Sequence, residues 1–306
     1  MDKFSNHPLY RKHDIDSVLS SLWSFYLKNF VVLFIASLVF SLGINFLYSL
    51  VDFMKMYGIT DPIEVLEEMK KWFWPMLAMM AASFIFYVII HYYVIYKPVD
   101  SSVNIFTAVY KSMKYLIPYL IIFILYFFFV GAAMIVGLFA LIIGIFFSML
   151  YVFMLGLFIL PILMVEGNNI GNAIVRTFAL AHRRFGPNLG WTAVFVLIYI
   201  VVSIILSSVI LLPFSGSFFK ILMNPANAGE AMNFMTNPWY IILSALVRAL
   251  FMPLIPIFAA ILYFNGKARE EDIASPVSVS NEPDKVRVED LYAKPYSDDH
   301  PENPEK

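Results

Sequence analysis

From Tyr115 to Val165 the chain carries no charged residue, and this run limits the fold more than any other stretch. One continuous helix of that length would reach about 75 Å at 1.5 Å per residue, against a hydrocarbon core of roughly 30 Å. The run therefore folds back once. Gly131, Ala133, Gly137, Ala140, Gly144 and Ser148 locate the reversal and let two backbones approach closely, giving spans near 116–136 and 141–165. The turn around Gly137 to Ala140 is itself apolar. Its backbone groups need partners, so it is expected to be tucked against protein or headgroups.

The rest of the chain has the same character. Of its 306 residues 60% are hydrophobic and only 14% charged, where a soluble domain carries about 25% charged. An integral membrane protein is the class this composition specifies. A net charge of −1 gives no basis for nucleic-acid binding, and with no cysteine there is no disulfide, thiolate metal site or Cys nucleophile. The opening residues are polar and charged for too long to be a signal peptide, so Met1 is expected to stay. A first span covers 30–51 and a second 72–96, the latter with Trp72 and Trp74 at one end and Tyr92, Tyr93 and Tyr96 at the other as aromatic belts. Between them Asp61, Pro62 and Glu64 form a helix start for a short helix over 62–71. A fifth span covers 191–212, and a sixth covers 238–264 and contains Arg248, Pro253 and Pro256. The loop 213–237 reads as re-entrant or half-buried. The tail 273–306, rich in Pro and charge, reads as disordered.

Three stretches have apolar residues at helical spacing on one face and polar ones on the other. In 14–29 the apolar face is Ile15, Val18, Leu19, Leu22, Trp23 and Tyr26. In 100–115 it is Val103, Phe106, Val109, Tyr110 and Met113, after an acidic or Ser cap near Asp100. In 166–186 it is Ile170, Ala173, Ile174, Thr177, Phe178 and Ala181, capped by Asn168 or Asn169 and ended by Gly186 and Pro187. Each is an interfacial helix feeding a pair of spans. The fold class is thus an all-α membrane protein of six transmembrane helices arranged as three hairpins, each preceded by a cytoplasmic interfacial amphipathic helix. The domain reading is a polar arm 1–13, a membrane domain 14–272 with a threefold pseudo-repeat (14–96, 100–165, 168–264), and the tail. Lys and Arg gather on the side of the amphipathic helices, while Lys55, Lys70, Lys71 and Lys220 opposite are offset by acids, so both termini are expected in the cytoplasm and the protein in the inner membrane.

Few residues suggest chemistry. Arg248 lies about ten residues into span six, where an arginine is costly by about 2.5 to 3.5 kcal/mol. It could bind a lipid phosphate or an anionic solute, snorkel to the outer interface, or bond carbonyls freed by Pro253 and Pro256. Glu166 could orient Arg176 or Arg183 across a helix start, or serve only the helix dipole. His91 reads as a proton-relay group or an interfacial histidine. Lys111, Lys114, Arg176, Arg183 and Arg184 are placed to attract anionic lipid at about 1 kcal/mol each. No nucleotide loop, HExxH or Ser-His-Asp arrangement occurs, and neither an enzyme nor a cofactor is expected.

Pro161-x-x-x-Val165-Glu166-Gly167, then Ala173-Ile-Val-Arg176-Thr177 closing on Arg183-Arg184, resembles the hallmark of the glycerophosphoryl diester phosphodiesterase membrane-domain family and its YciC-like relatives. Pro253, Leu262-Tyr263-Phe264 and the exit Ala268-Arg269-Glu270-Glu271 are similar to the ending of that family. The resemblance covers 14–272. It implies a membrane module tied to the cell envelope, and in some relatives such a module precedes a phosphodiesterase domain. No His-Arg plus Glu-x-Asp metal cluster is present here, so that activity is not implied. The expected function is a non-enzymatic role in envelope lipid homeostasis or as an accessory subunit of a membrane complex. The alternative is a small transporter of a lipid or anionic solute using Arg248 and a kinked span six. Expected partners are membrane lipids and a cytoplasmic protein docking on the tail segment 286–296.

Overall fold

Among the described residues, six helical stretches are long and apolar enough to cross a membrane, and the protein is an all-α, multi-pass membrane protein. The computed structural model describes residues 3–51, 59, 61–139, 141–223, 234 and 237–274. The chain divides into a unit Met1–Arg269 and a unit Glu270–Lys306, the second described only as far as Ala274. The tail and its segment 286–296 lie outside the described residues, as does most of the stretch 224–236.

Helix α1 (Ile15–Lys28) starts at a capping box in which Asp14 accepts from the Ser17 amide while the Ser17 hydroxyl accepts from that of Asp14. It ends at Asn29, and α2 (Phe30–Ser49) follows at once. Helix α3 (Pro62–Tyr96) begins at the Asp61 cap with Pro at its first position. The short helix expected over 62–71 is its first part: α3 runs unbroken for 35 residues, about 52 Å. Helices α4 (Ile105–Leu138) and α5 (Leu141–Val165) form the hairpin read from the charge-free run. Then come α6 (Ile170–Arg183), α7 (Phe185–Leu211), a 3₁₀ turn (Leu212–Phe214), α8 (Ser215–Met223), α9 (Pro238–Phe251) and α10 (Leu254–Ala274).

Further sequence expectations are corrected or narrowed. The second amphipathic segment is the first part of α4, capped by Asn104 in place of Asp100, because nothing between it and the span departs from helical geometry. Its counterparts α1 and α6 do break, at Asn29 (φ −110°, ψ 13°) and Arg184 (φ −133°, ψ 58°). Gly186 and Pro187 do not end α6; they open α7, where a missing amide hydrogen costs nothing. Of the two surroundings expected for the apolar turn, protein or headgroups, protein does not cover Phe139, which is 86% exposed, nor Ile142 and Ile143. The small residues bring the helices together right up to the turn: a Cβ on Gly137 would lie 2.8 Å from the Gly144 carbonyl oxygen. The larger side chains are thereby turned outward, toward lipid. Finally, span six is two helices, broken at Met252–Pro253.

The spans pack in cyclic order. Helix α2 lies against α3 and α9, α4 against α5 and α3, and α7 against α9 and α5. The inner set, α3, α5 and α10, runs in one direction toward the end that carries the N-terminal arm, here called the arm end. There Val88 to Ile95, Met154 to Met164 and Ile257 to Phe264 are buried almost throughout. A helix apolar on all sides is stable only where other helices surround it, and these three segments satisfy that condition. The residues before α1 close the base: Phe4, His7, Leu9 and His13 are all buried, so the stretch read as a polar arm also contributes to the core. The opposite end is looser, with Phe127, Phe128, Ile135, Ile204 and Ile205 exposed as a lipid-facing surface would be.

Candidate functional site

The proline-broken sixth span, the inner helices α3 and α5 and the outer helix α4 enclose a cavity of about 480 Å³. It falls in the range of small-molecule sites. Tyr87, one of its lining residues, stands nine residues before the end of α3, about 14 Å and so near the bilayer midplane. Phe84, Tyr87, Tyr119, Phe123 and Tyr126 make an aromatic wall, with Phe84 stacked on Tyr119 at 4.7 Å. Met252, Ile255 and Pro256 bring the helix break into the opposite side, and the rim residues Met80 and Phe123 are exposed.

Polar groups in this cavity are few. Ser83 donates to the Met79 carbonyl at 2.7 Å, and Tyr126 donates to the Val152 carbonyl at 2.6 Å. Gly156 makes the latter geometry possible, because a Cβ there would lie 2.9 Å from the Tyr126 hydroxyl oxygen. The hydroxyls of Tyr87 and Tyr119 make no hydrogen bond among the described residues, although Tyr119 is only 8% exposed. Both hydroxyl oxygens keep some accessible surface, and both residues line the cavity. Such a lining suits an apolar chain that carries an oxygen able to accept from one of these hydroxyls. Among the described residues no carboxylate, imidazole or amine lines the cavity. Beyond Tyr126 and Ile159, which it shares, a second cavity of about 180 Å³ extends to Thr177 and Phe178 of α6.

The charged residues of the resemblance motifs meet elsewhere, at the arm end. After α5 the chain turns at Gly167, whose φ of +107° is a left-handed conformation suited to glycine. The turn aims Glu166 at α6 and α10. Arg176 binds it with two bonds, Nε to Oε2 at 2.7 Å and Nη2 to Oε1 at 3.1 Å. The Tyr263 hydroxyl donates to Oε1 at 3.1 Å, and the Lys267 Nζ stands 3.8 Å from the same oxygen. Alongside, Tyr96 and Tyr115 both donate to the Met164 carbonyl, at 2.6 and 3.3 Å. Asn188 donates to the carbonyls of Leu180 and Ala181 at the end of α6. These contacts fasten the α5–α6 turn to α10.

The other candidates do not converge. Arg248 is in the last turn of α9, exposed, with no side-chain hydrogen bond or ion pair among the described residues, and it does not line the cavity. The Leu250 carbonyl at the break accepts from the Tyr26 hydroxyl at 3.0 Å. Lys111, Lys114, Arg183 and Arg184 are exposed on α4 and at the end of α6, with Lys114 over the Tyr115 ring. His91 is buried one turn from Tyr87, whose carbonyl lies 2.9 Å from Nδ1; its Nε2 has no partner among the described residues. No group of three His, Asp or Glu side chains able to hold a metal occurs among them. The cavity residues gave no sequence signal of their own, because Phe, Tyr and Met in a span read as packing. The approach of Gly156 to Tyr126 is visible only once the two helices are docked. Compared with protein-family models, with curated proteins and with solved structures, the chain matches none.

Proposed function

We propose that the protein is a non-enzymatic lipid-binding protein of the inner membrane, acting in envelope lipid homeostasis, alone or as an accessory subunit of a membrane complex. The observation that carries this reading is the mid-membrane cavity in which two tyrosine hydroxyls lack partners among the described residues. Its aromatic wall takes a hydrocarbon chain, and Tyr87 and Tyr119 donate to an ester or hydroxyl oxygen on it. The smaller cavity beyond Tyr126 gives the chain a way toward the interface beside α6. Both termini are assigned to the cytoplasm because Lys and Arg concentrate at the arm end. Membership of the glycerophosphoryl diester phosphodiesterase membrane-domain family is part of the proposal, supported by the meeting of its motif residues Glu166, Arg176 and Tyr263 in one cluster.

Native mass spectrometry tests the lipid reading. The wild-type protein is expected to keep about one lipid through detergent washing that strips the annular shell. Gly156→Leu, which fills the cavity and displaces Tyr126, is expected to lose it while keeping the helical signal of the folded protein. Equal retention by both proteins would refute the cavity as the lipid site. The break at Met252–Pro253 favours a second reading, in which the cavity wall moves and the protein carries an amphipathic solute. A carrier moves labelled lipid between the leaflets of reconstituted vesicles, and a holder does not.

A further inference from the structure

A third recess, of about 630 Å³, opens at the arm end between the N-terminal arm, α1 and the connection from α3 to α4. Its polar wall includes Arg11, Ser20, Ser24, Lys28, Lys97 and Ser101, with Ser21 and Asn29 between them, and Leu9 and Phe25 supply apolar surface. Three cations therefore share one recess, and no carboxylate lines it among the described residues. Bringing like charges together costs energy unless an anion joins them. The acids nearest in sequence are engaged elsewhere: Asp14 accepts from the Ser17 amide, and Asp100 accepts from both the amide and the hydroxyl of Ser102.

Two of the cations are held in position. Arg11 donates through Nη2 to the buried Ser21 hydroxyl at 2.6 Å, and Lys97 donates to the Ser101 carbonyl at 2.8 Å. The arm that carries Arg11 is itself anchored. His7 Nε2 lies 3.3 Å from the Val94 carbonyl, and the His13 amide donates to Asn265 at 2.9 Å. The depth of the cleft is also fixed by the helices. Lys28 ends α1 just before the first residues of α2, and Lys97 directly follows the last residue of α3. Both thus sit where the first hairpin leaves the hydrocarbon, at the level of the lipid phosphates.

We propose that this cleft binds a phosphate ester, with Arg11, Lys28 and Lys97 neutralising its oxygens and the hydroxyls of Ser20 and Ser24 donating to them. The phosphate can belong to an anionic lipid headgroup or to a soluble ester. The site does not depend on the mid-membrane cavity, and Gly156→Leu is expected to leave it unchanged.

The test uses the full chain carrying Gly156→Leu, so that the mid-membrane cavity is filled, in detergent, titrated with dioctanoylphosphatidylglycerol, dioctanoylglycerol and glycerol phosphate. Phosphatidylglycerol is expected to bind, and dioctanoylglycerol is not. Glycerol phosphate binding as tightly identifies a soluble ester as the ligand; its failure identifies the lipid. The pair Lys28→Gln with Lys97→Gln is expected to weaken binding about thirtyfold, roughly fivefold per charge. Lys111→Gln with Lys114→Gln, at the same end but outside the cleft, is expected to change it less than about threefold on the same reasoning. Should the cleft pair fail to fold, Lys28→Gln alone, at an exposed position, carries the fivefold expectation. The proposal is overturned if no phosphate compound binds better than dioctanoylglycerol, if removing the cleft charges leaves binding unchanged, or if both pairs weaken it equally.

Discussion

Glu166 has its two oxygens committed to Arg176, Tyr263 and Lys267, with only 13% of its side chain exposed. An acid so placed stabilises the turn through charge-assisted bonds, and removing its charge leaves two cations facing a neutral group. Glu166→Gln is expected to cost about 2 kcal/mol in detergent unfolding, most of it as coupling to Arg176 in a double-mutant cycle. A loss below about 0.5 kcal/mol, the size expected of an exposed pair, would count against this role. Part of the cluster was legible in the sequence. An acid at a span end, ten residues before an arginine on the next amphipathic helix, suggests their pairing. Tyr263, 97 residues away, was not legible as a partner, because only the docking of α10 brings it there. Arg248 shows the reverse: a charge inside an apolar stretch drew notice in the sequence, yet the helix turns it away from the cavity that its neighbours help to form.

The arm and the helix junctions show where reading by periodicity stops. Phe4, His7, Leu9 and His13 follow neither a helical nor a strand period, so their burial could not be read from pattern. They are held instead by individual contacts, among them the stacking of His7 on Phe264 at 4.4 Å. Burial lowers the His7 pKa from the usual 6.5 to about 4, outweighing the bond near the Val94 carbonyl, and burial lowers that of His13 in the same direction. The docked arm therefore binds fewer protons than the free arm between those values, and docking weakens as the pH falls. The effect of His7 is absent above pH 7 and reaches about 2 kcal/mol, or thirtyfold, by pH 5. Hydrogen-exchange protection of residues 4–13, corrected for intrinsic rates, is expected to follow that course. Protection that stays level from pH 8 to pH 5 would contradict it. Span positions, by contrast, were plain in the sequence: α5 begins and ends where the charge-free run and its small residues place it. The breaks at Asn29 and Arg184 were not, since neither residue is an intrinsic helix breaker and tertiary packing decides which junction bends.

Across the folded unit Met1–Arg269, packing is uneven by position along the spans. The inner helices are sealed at the arm end, where the Glu166 cluster, the arm and α6 fasten them. Toward the middle, the break in span six and the close approach of Gly156 to Tyr126 leave room for the cavity. Proline is what separates these regions: α9 packs on α2, while α10, starting anew after Pro253, meets the arm through Phe264 and His7, α7 through Phe258 and Phe195, and the end of α5 through Tyr263 and Glu166. Composition and spacing announce such a bundle, but a void between four spans depends on side chains from all of them and is not written in any one. The most direct measurement is a high-resolution electron cryo-microscopy map of the protein in lipid nanodiscs. The account predicts elongated density between Tyr87, Tyr119 and Tyr126, with a polar atom within hydrogen-bond distance of the Tyr87 or Tyr119 hydroxyl. A cavity filled by rearranged side chains, or one holding only water, would contradict it.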